Sequence, residues 1–293
     1  MTLRSPERAA VWAGHLAARV AWRLVHERLA AWGISALPVK GLITGVWLYE
    51  DVADRPLTDL DVRVRGDDLA RAREALETAG FRHLAAPSPT DNLVYRVGQV
   101  LVDVETTIGP PGLCGLEVSE MIARAERSDL FGFSCLVPNP VDHALLIVVN
   151  AFKDKLSLAS PWALEDLRRV VRVVDASALV QRAEATHSTK ILWVVSDWMA
   201  RHGDRAWARV REAIARPPTN LYRLAWRICD RRPASLPARI LSRLGSDRPS
   251  DWPRALYYAG RVELWKLTDP EGSRIALDDE ADGRREADED RRG

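Results

Sequence analysis

The apolar positions of the first 33 residues recur at the spacing of an α-helix. Ser5 is a good N-cap, Pro6 suits the first helical position, and Gly33 is placed to end the helix. The sequence therefore predicts one long N-terminal helix. The apolar residues that define it are Val11, Leu16, Val20, Leu24 and Leu29.

The pattern then changes between strand alternation and helical spacing up to about residue 106. The clearest strand is TDLDVRV at 58–64, where polar and apolar residues alternate. A short helix at 42–49 and a helix that begins at the predicted cap Asp67 and ends near Thr78 separate the extended segments. The predicted strands are 36–39, 58–64, 81–84, 92–97 and 100–106.

After residue 138 strand alternation is replaced by helical periodicity. Together with the first half, this predicts an α+β fold: a small mixed sheet with helices, followed by a mainly helical C-terminal region. The expected domains are 1–135 and 136–276, with a disordered charged tail at 277–293. The helices predicted in the second half are 140–152, 161–174, 176–185, 189–202 and 205–215.

Composition limits the class of protein. Of 293 residues, 47% are hydrophobic, which is enough for a sizeable core. The three cysteines are widely spaced and form neither a disulfide framework nor a C-x-x-C metal motif. We see no signal peptide and no apolar run long enough to span a bilayer, so we expect a cytoplasmic protein without a membrane partner.

The formal net charge of +1 conceals an uneven distribution. Residues 201–261 contain 14 arginines and five acidic residues, a local charge of +9, whereas the tail from Leu277 carries −4. The basic region is either a solvated surface, a binding surface for an anionic acceptor such as RNA, or a surface that the acidic tail covers. The tryptophans of this half have helical spacing and are expected to pack in a core.

Two aspartates on the strand at 58–64 are the first candidate for chemistry. Asp59 and Asp61 are two positions apart, so their carboxylates leave the same face of the strand. Such close acids repel each other unless a cation lies between them. Mg²⁺ suits this arrangement because it binds carboxylate and phosphate oxygens together.

A second candidate is the pair Lys40-Gly41, between an extended segment and a short helix. Glycine lets the backbone approach an anion, and the helix start offers unpaired N–H groups. The lysine adds a compact positive charge that can pair with a phosphate. A third acid is expected from a neighbouring strand, where Asp103 and Glu105 share one face. Asp103 is our choice, and Glu105 is the reserve.

Together these elements resemble the DNA polymerase β-type nucleotidyltransferase superfamily, and more narrowly its uncharacterised nucleotidyltransferase branch. The resemblance covers about residues 36–106. It implies a polymerase β-like domain and an enzyme that acts on an NTP such as ATP. The elements that carry it are Val39, Lys40-Gly41, Tyr49, Arg55, Asp59-Leu60-Asp61 and Gly80-Phe81.

The resemblance also implies a role for each site residue. Asp59 and Asp61 would hold two Mg²⁺ ions, or Mn²⁺, and Asp103 would share the catalytic metal and help to activate an acceptor hydroxyl. Lys40 and the Gly41 N–H would bind the β- and γ-phosphates. Arg55 would either contact phosphate or support Asp59 or its own loop.

The implied reaction moves a nucleoside monophosphate to a hydroxyl-bearing small molecule, peptide, protein or RNA and releases pyrophosphate. Two alternatives stay open: a nucleotide-binding regulatory protein with little turnover, and an RNA-directed nucleotidyltransferase of the toxin type. The sequence contains no G-x-S-x-G, H-E-x-x-H, P-loop or G-x-G-x-x-G motif, which disfavours hydrolase, zinc protease and dinucleotide-binding functions.

Overall fold

The computed structural model describes residues 5–84, 92–153, 156, 160–233 and 235–268, which form two compact units. The first unit consists of the described residues up to Thr107 together with Val118–Asn139. The second consists of Ile108–Glu117 and the described residues from Pro140 onward. The domain boundary predicted between residues 135 and 136 stays a prediction, and the predicted tail at 277–293 lies outside the described residues.

A five-stranded mixed sheet with flanking helices forms the first unit, and helices form most of the second, so the α+β prediction is confirmed. The strand order is β1-β2-β5-β4-β3, in which only β2 and β5 are parallel. The strands are β1 (Ala36–Val39), β2 (Asp59–Val64), β3 (Arg82–His83), β4 (Asn92–Val97) and β5 (Val100–Glu105). The helices of this part are α1 (Pro6–Ala31), α2 (Gly41–Leu48) and α3 (Leu69–Thr78).

One face of the sheet is apolar and belongs to a buried core. Leu60, Val62 and Val64 of β2 lie in this core, as do Val102 and Val104 of β5. Helix α1 packs on β1, β2, β5 and α3. Because strand side chains alternate, this packing leaves Asp59, Asp61, Asp103 and Glu105 on the opposite, polar face.

The helix starts test the capping predictions directly. The prediction for α1 is confirmed, because the Ser5 hydroxyl accepts a hydrogen bond from the Arg8 N–H at 3.3 Å. The prediction that Asp67 caps α3 is wrong. Residues Gly66–Asp68 form a 3₁₀ turn, so α3 begins at Leu69, one residue later than this cap predicts, and its N-cap Asp68 makes no side-chain capping bond.

Three short elements complete the first unit, and the sequence pattern did not predict them. They are α4 (Val118–Ala123) and the two-stranded antiparallel sheet of β6 (Glu126–Ser128) and β7 (Cys135–Val137). The turn between these strands uses Gly132, whose φ of 78° is a left-handed conformation that glycine adopts without strain.

The five helices predicted in the second unit are confirmed, with the predicted starts and with ends that differ by at most two residues. They are α5 (Pro140–Lys153), α6 (Pro161–Val173), α7 (Ala176–Ala185), α8 (Thr189–Arg201) and α9 (Arg205–Ala213). Three further helices, α10 (Asn220–Asp230), α11 (Leu236–Leu241) and α12 (Trp252–Thr268), follow. No helix within the described part of the chain is long and apolar enough to cross a membrane.

Four tryptophans pack in the core of this unit, as predicted, whereas Trp252 is partly exposed and Trp162 is 40% exposed. Trp193, Trp198, Trp207 and Trp226 are all buried. The Trp207 indole N–H donates to the Leu167 carbonyl at 2.9 Å, which ties α9 to α6. The apolar stripe of α8 therefore serves packing.

A distant carboxylate caps α8. The N-cap residue Ser188 makes no side-chain capping bond, and the Asp247 carboxylate accepts from the N–H groups of Thr189 and Lys190 at 2.7 and 3.0 Å. The loop before α12 therefore supplies the negative charge that a helix N-terminus prefers.

We expect Asp247→Ala to lower the free energy of unfolding by about 1–2 kcal/mol, because two helix N–H groups lose their acceptor. Asp247→Asn retains an acceptor oxygen and should cost less than half as much. Chemical denaturation followed by circular dichroism measures both variants. An Asp247→Ala protein as stable as wild type would show that this cap is not needed.

Candidate active site

The acidic residues meet at the centre of the polar sheet face. Asp61 of β2 and Asp103 of β5 are direct partners in the parallel register, and Glu105 lies two positions further along β5. Carboxylate oxygens of Asp61, Asp103 and Glu105 all lie within 4.8 Å of one another. Asp61 is 3% exposed, whereas Asp103 and Glu105 are partly exposed. We call these three residues the acidic cluster.

Asp59 lies beside this cluster and is not one of its members. It shares the polar face with Asp61 by strand alternation, and its carboxylate lies 3.2 Å from the Thr58 hydroxyl, which can donate to it. Burial and the neighbouring Asp61 raise the pKa of Asp59, while Lys40 and Arg55 partly offset this effect. Asp59 is thus electrostatically part of the site.

Lys40 reaches into the cluster from the end of β1. Val39 pairs with Asp61 in the antiparallel register, which places Lys40 next to that carboxylate. The ammonium Nζ lies 2.5 Å from Asp61 Oδ1. Burial lowers the pKa of Lys40, but the attraction of Asp61 and other nearby carboxylates outweighs burial, so the pKa lies above its ordinary value.

Arg63 is a site residue that the sequence analysis missed. It is 1% exposed, it forms an ion pair with its register partner Glu105, and its Nη2 lies 3.6 Å from Asp61 Oδ1. Among the described residues, none accepts a hydrogen bond from its buried Nε. The only sequence signal was its position two residues after Asp61, on the same strand face.

Asp103, the register partner of Asp61, is contacted by a side chain of the neighbouring strand β4. The side-chain amide of Asn92 on β4 donates to Asp103 Oδ1 at 3.2 Å. Burial and then the nearby Glu105 carboxylate raise the pKa of Asp103 to about 8. Two carboxylates this close repel each other unless a proton or a cation lies between them.

Gly41 and Arg55 pack against each other at the start of α2. A β-carbon on Gly41 would meet Leu57 Cδ1 at 2.3 Å and Arg55 Nη1 at 2.9 Å, so only glycine fits without displacing both side chains. The Arg55 guanidinium donates to the Pro56 carbonyl at 3.0 Å and also lowers the pKa of Asp59. These contacts place Arg55 near the site and also in contact with its own loop.

The donor set suits a hard divalent cation. The acidic cluster offers carboxylate oxygens alone, with no sulfur or imidazole nitrogen, and these are the ligands that Mg²⁺ and Mn²⁺ prefer. Of the predicted acids, Asp61 and Asp103 belong to the cluster, Asp59 lies beside it, and the reserve residue Glu105 is a member. The close approach of Glu105 depends on the β2–β5 pairing.

The basic region of the second unit is partly neutralised within the fold. Arg201, Arg211 and Arg227 all form ion pairs with the buried carboxylate of Asp197, at 3.0–3.3 Å. Arg227 and Arg201 lower the pKa of Asp197 despite its burial. Three arginines of residues 201–261 therefore have a structural partner.

Comparison with known proteins supplies a family. A family described as "Uncharacterised nucleotidyltransferase" matches residues 5–202. No curated protein matches the chain.

Solved structures that are similar to this chain share little sequence identity with it. An antigenic nucleotidyltransferase-like protein from Paracoccidioides brasiliensis is 12% identical, covers 67% of this chain and 92% of its own, and has a TM-score of 0.44. A tRNA nucleotidyltransferase complexed with a primer tRNA and an incoming ATP analog is 12% identical, covers 87% and 86% of the two chains, and has a TM-score of 0.26.

Proposed function

The chain belongs to the uncharacterised nucleotidyltransferase family, and on that premise we propose that it transfers a nucleoside monophosphate from an NTP to a hydroxyl-bearing acceptor. The reaction would depend on Mg²⁺ and release pyrophosphate. The observation that carries the proposal is the acidic cluster, in which Asp61 and Asp103 are opposite each other on parallel strands.

In this reaction the acidic residues would bind metal ions and accept a proton. Asp61 and Asp103 would hold the cation, and Asp59, beside them on the same face, would supply a further carboxylate for a second one. Bound there, Mg²⁺ would stabilise the charge on the attacking and leaving oxygens of an in-line displacement at the α-phosphorus. Asp103, the register partner of Asp61, would accept the proton of the acceptor hydroxyl.

The triphosphate would bind at the start of α2. The N-cap position is Lys40, which makes no side-chain capping bond, so the first turn of this eight-residue helix offers N–H groups to an anion. Lys40 contributes a positive charge and Arg55 a second one. The acceptor is a small molecule, a peptide, a protein or an RNA.

A pyrophosphate assay tests the proposal. Purified protein, each of the four NTPs, Mg²⁺ and a cell extract as acceptor source should release pyrophosphate. A chelator should stop the release, and Mg²⁺ or Mn²⁺ should restore it. The Asp59→Ala/Asp61→Ala double variant should be inactive; release at the wild-type rate by this variant would overturn the proposal.

We expect the two candidate third acids to behave differently. Asp103→Asn should slow pyrophosphate release by about a hundredfold, which is the lower end of the rate enhancement that a general base contributes. Glu105→Gln should cost no more than about tenfold, because Glu105 pairs with Arg63 and acts through it.

Steady-state kinetics of both variants, with Asp67→Asn as an exposed control from the same unit, provides the measurement. A larger loss for Glu105→Gln than for Asp103→Asn would make Glu105 the third acid.

One observation favours a second candidate, a nucleotide-binding protein with little turnover. Lys40 and Arg63 already pair with two members of the acidic cluster and reduce the negative charge available to a metal. This candidate predicts Mg²⁺-dependent NTP binding by calorimetry without pyrophosphate release. Steady release would exclude it.

A further inference from the structure

The Asp61 carboxylate already has a cation bound to it. Lys40 Nζ lies 2.5 Å from Asp61 Oδ1, and Arg63 Nη2 lies 3.6 Å from the same oxygen. Asp61 is 3% exposed and Lys40 27% exposed, so water screens this pair weakly. Any metal ion that binds Asp61 at this oxygen must compete with the ammonium.

The backbone of Lys40 is strained in a way that favours this position. Its φ of 50° and ψ of −128° lie in a region that glycine adopts freely and other residues avoid. Such a conformation costs on the order of 1–3 kcal/mol, and it occurs mainly at functional sites. This conformation lies at the junction of β1 and α2. It places Lys40 at the N-terminus of α2 and beside the acidic cluster.

The two cations of the site differ in how easily they can leave. Arg63 is 1% exposed and has its register partner Glu105 as a second anchor. Lys40 has a flexible four-carbon side chain and greater exposure, so its ammonium can move without unfolding the strand pair. Lys40 is therefore the exchangeable cation.

Resting on the function proposed above, we propose that the Lys40 ammonium occupies the Asp61 carboxylate in the nucleotide-free protein and is drawn away by the NTP phosphates. A divalent ion that arrives alone meets a neutralised carboxylate and a repelling positive charge. The triphosphate provides a new anionic partner for the ammonium and frees Asp61 for the metal. Metal and nucleotide therefore bind with positive coupling, and each increases the affinity for the other by the same factor.

Binding of Mn²⁺, followed by the electron paramagnetic resonance signal of the free ion, tests this proposal. For wild type, a non-hydrolysable NTP analogue should increase Mn²⁺ affinity by at least about tenfold, within the usual range of coupling between two sites. Lys40→Met should bind Mn²⁺ alone about tenfold more tightly than wild type, and its coupling should fall below about threefold.

Two further variants control for folding and for general charge. Lys40→Gly removes the ammonium and accepts a φ of 50° without strain, so it should fold and should bind Mn²⁺ as Lys40→Met does. Arg65→Met removes an exposed positive charge just after β2 and should behave as wild type.

The outcomes separate the inference from the function on which it rests. If wild type shows nucleotide-dependent Mn²⁺ binding and both Lys40 variants match it, the inference is wrong and the proposed function stands. If no protein binds Mn²⁺ with or without the analogue, the proposed function fails, and the inference fails with it.

Discussion

Replacing Asp61 with asparagine should reduce pyrophosphate release by about a thousandfold, which corresponds to about 4 kcal/mol of lost transition-state stabilisation. Asp61 is the most buried acid of the cluster, and it is the register partner of Asp103. An amide can offer one neutral oxygen but cannot compensate the charge of a divalent ion. The loss should appear in kcat, since the stabilisation concerns the transition state.

Stability measurements separate this effect from misfolding. Asp61→Asn leaves Lys40 and Arg63 with a weaker partner, so its thermal unfolding must be compared with that of wild type. Asp67→Asn, an exposed acid of the same unit, should keep wild-type activity. A folded Asp61→Asn protein that releases pyrophosphate at more than a tenth of the wild-type rate would contradict the assignment of Asp61.

Replacing Arg63 with methionine should lower the free energy of unfolding by about 3 kcal/mol. This is the lower end of the cost of removing one member of a buried ion pair, because Glu105 is 26% exposed and water reaches it in part. The variant leaves Asp61 and Glu105 without the guanidinium between them. Urea denaturation followed by circular dichroism measures the change.

The double variant Arg63→Met/Glu105→Gln distinguishes charge from packing. Removing the Glu105 charge as well should recover at least 1 kcal/mol, roughly a third of the loss, because one partly buried negative charge no longer lacks a partner. If the single variant unfolds at the wild-type urea concentration, the ion pair does not stabilise the strand pair. If the double variant is no more stable than the single one, the loss comes from packing.

Local pattern predicted the parts of the site that lie on one strand or at one helix start. The alternation of TDLDVRV placed Asp59 and Asp61 on one face, and the glycine after Lys40 predicted the start of α2. Arg63 obeys the same alternation, but an arginine on a strand usually indicates a solvated face, and nothing local showed that it is buried. The place of Glu105 required the parallel pairing of β2 with a strand about 40 residues later.

The elements with strong local periodicity were predicted from the sequence. The features that depend on contacts between distant residues were not. The helices from α5 to α9 followed from their apolar spacing. By contrast, Ile108–Glu117 joins the second unit through contacts such as the Gly115 N–H with the Thr186 carbonyl at 2.8 Å, which no local pattern indicates. The cap of α8 by Asp247 depends in the same way on residues about 60 positions apart.

The fate of the α- and γ-phosphorus atoms of the NTP distinguishes nucleotidyl transfer from other phosphate chemistry. Purified protein, Mg²⁺ and a cell extract are incubated with NTP labelled either at the α-phosphorus or at the γ-phosphorus, for wild type and for Asp61→Asn. Nucleotidyl transfer predicts that the α-label enters an acceptor, that the γ-label leaves in pyrophosphate, and that Asp61→Asn forms both products about a thousandfold more slowly. Transfer of the γ-label to an acceptor, or equal labelling by wild type and the variant, would show that the acidic cluster does not catalyse nucleotidyl transfer.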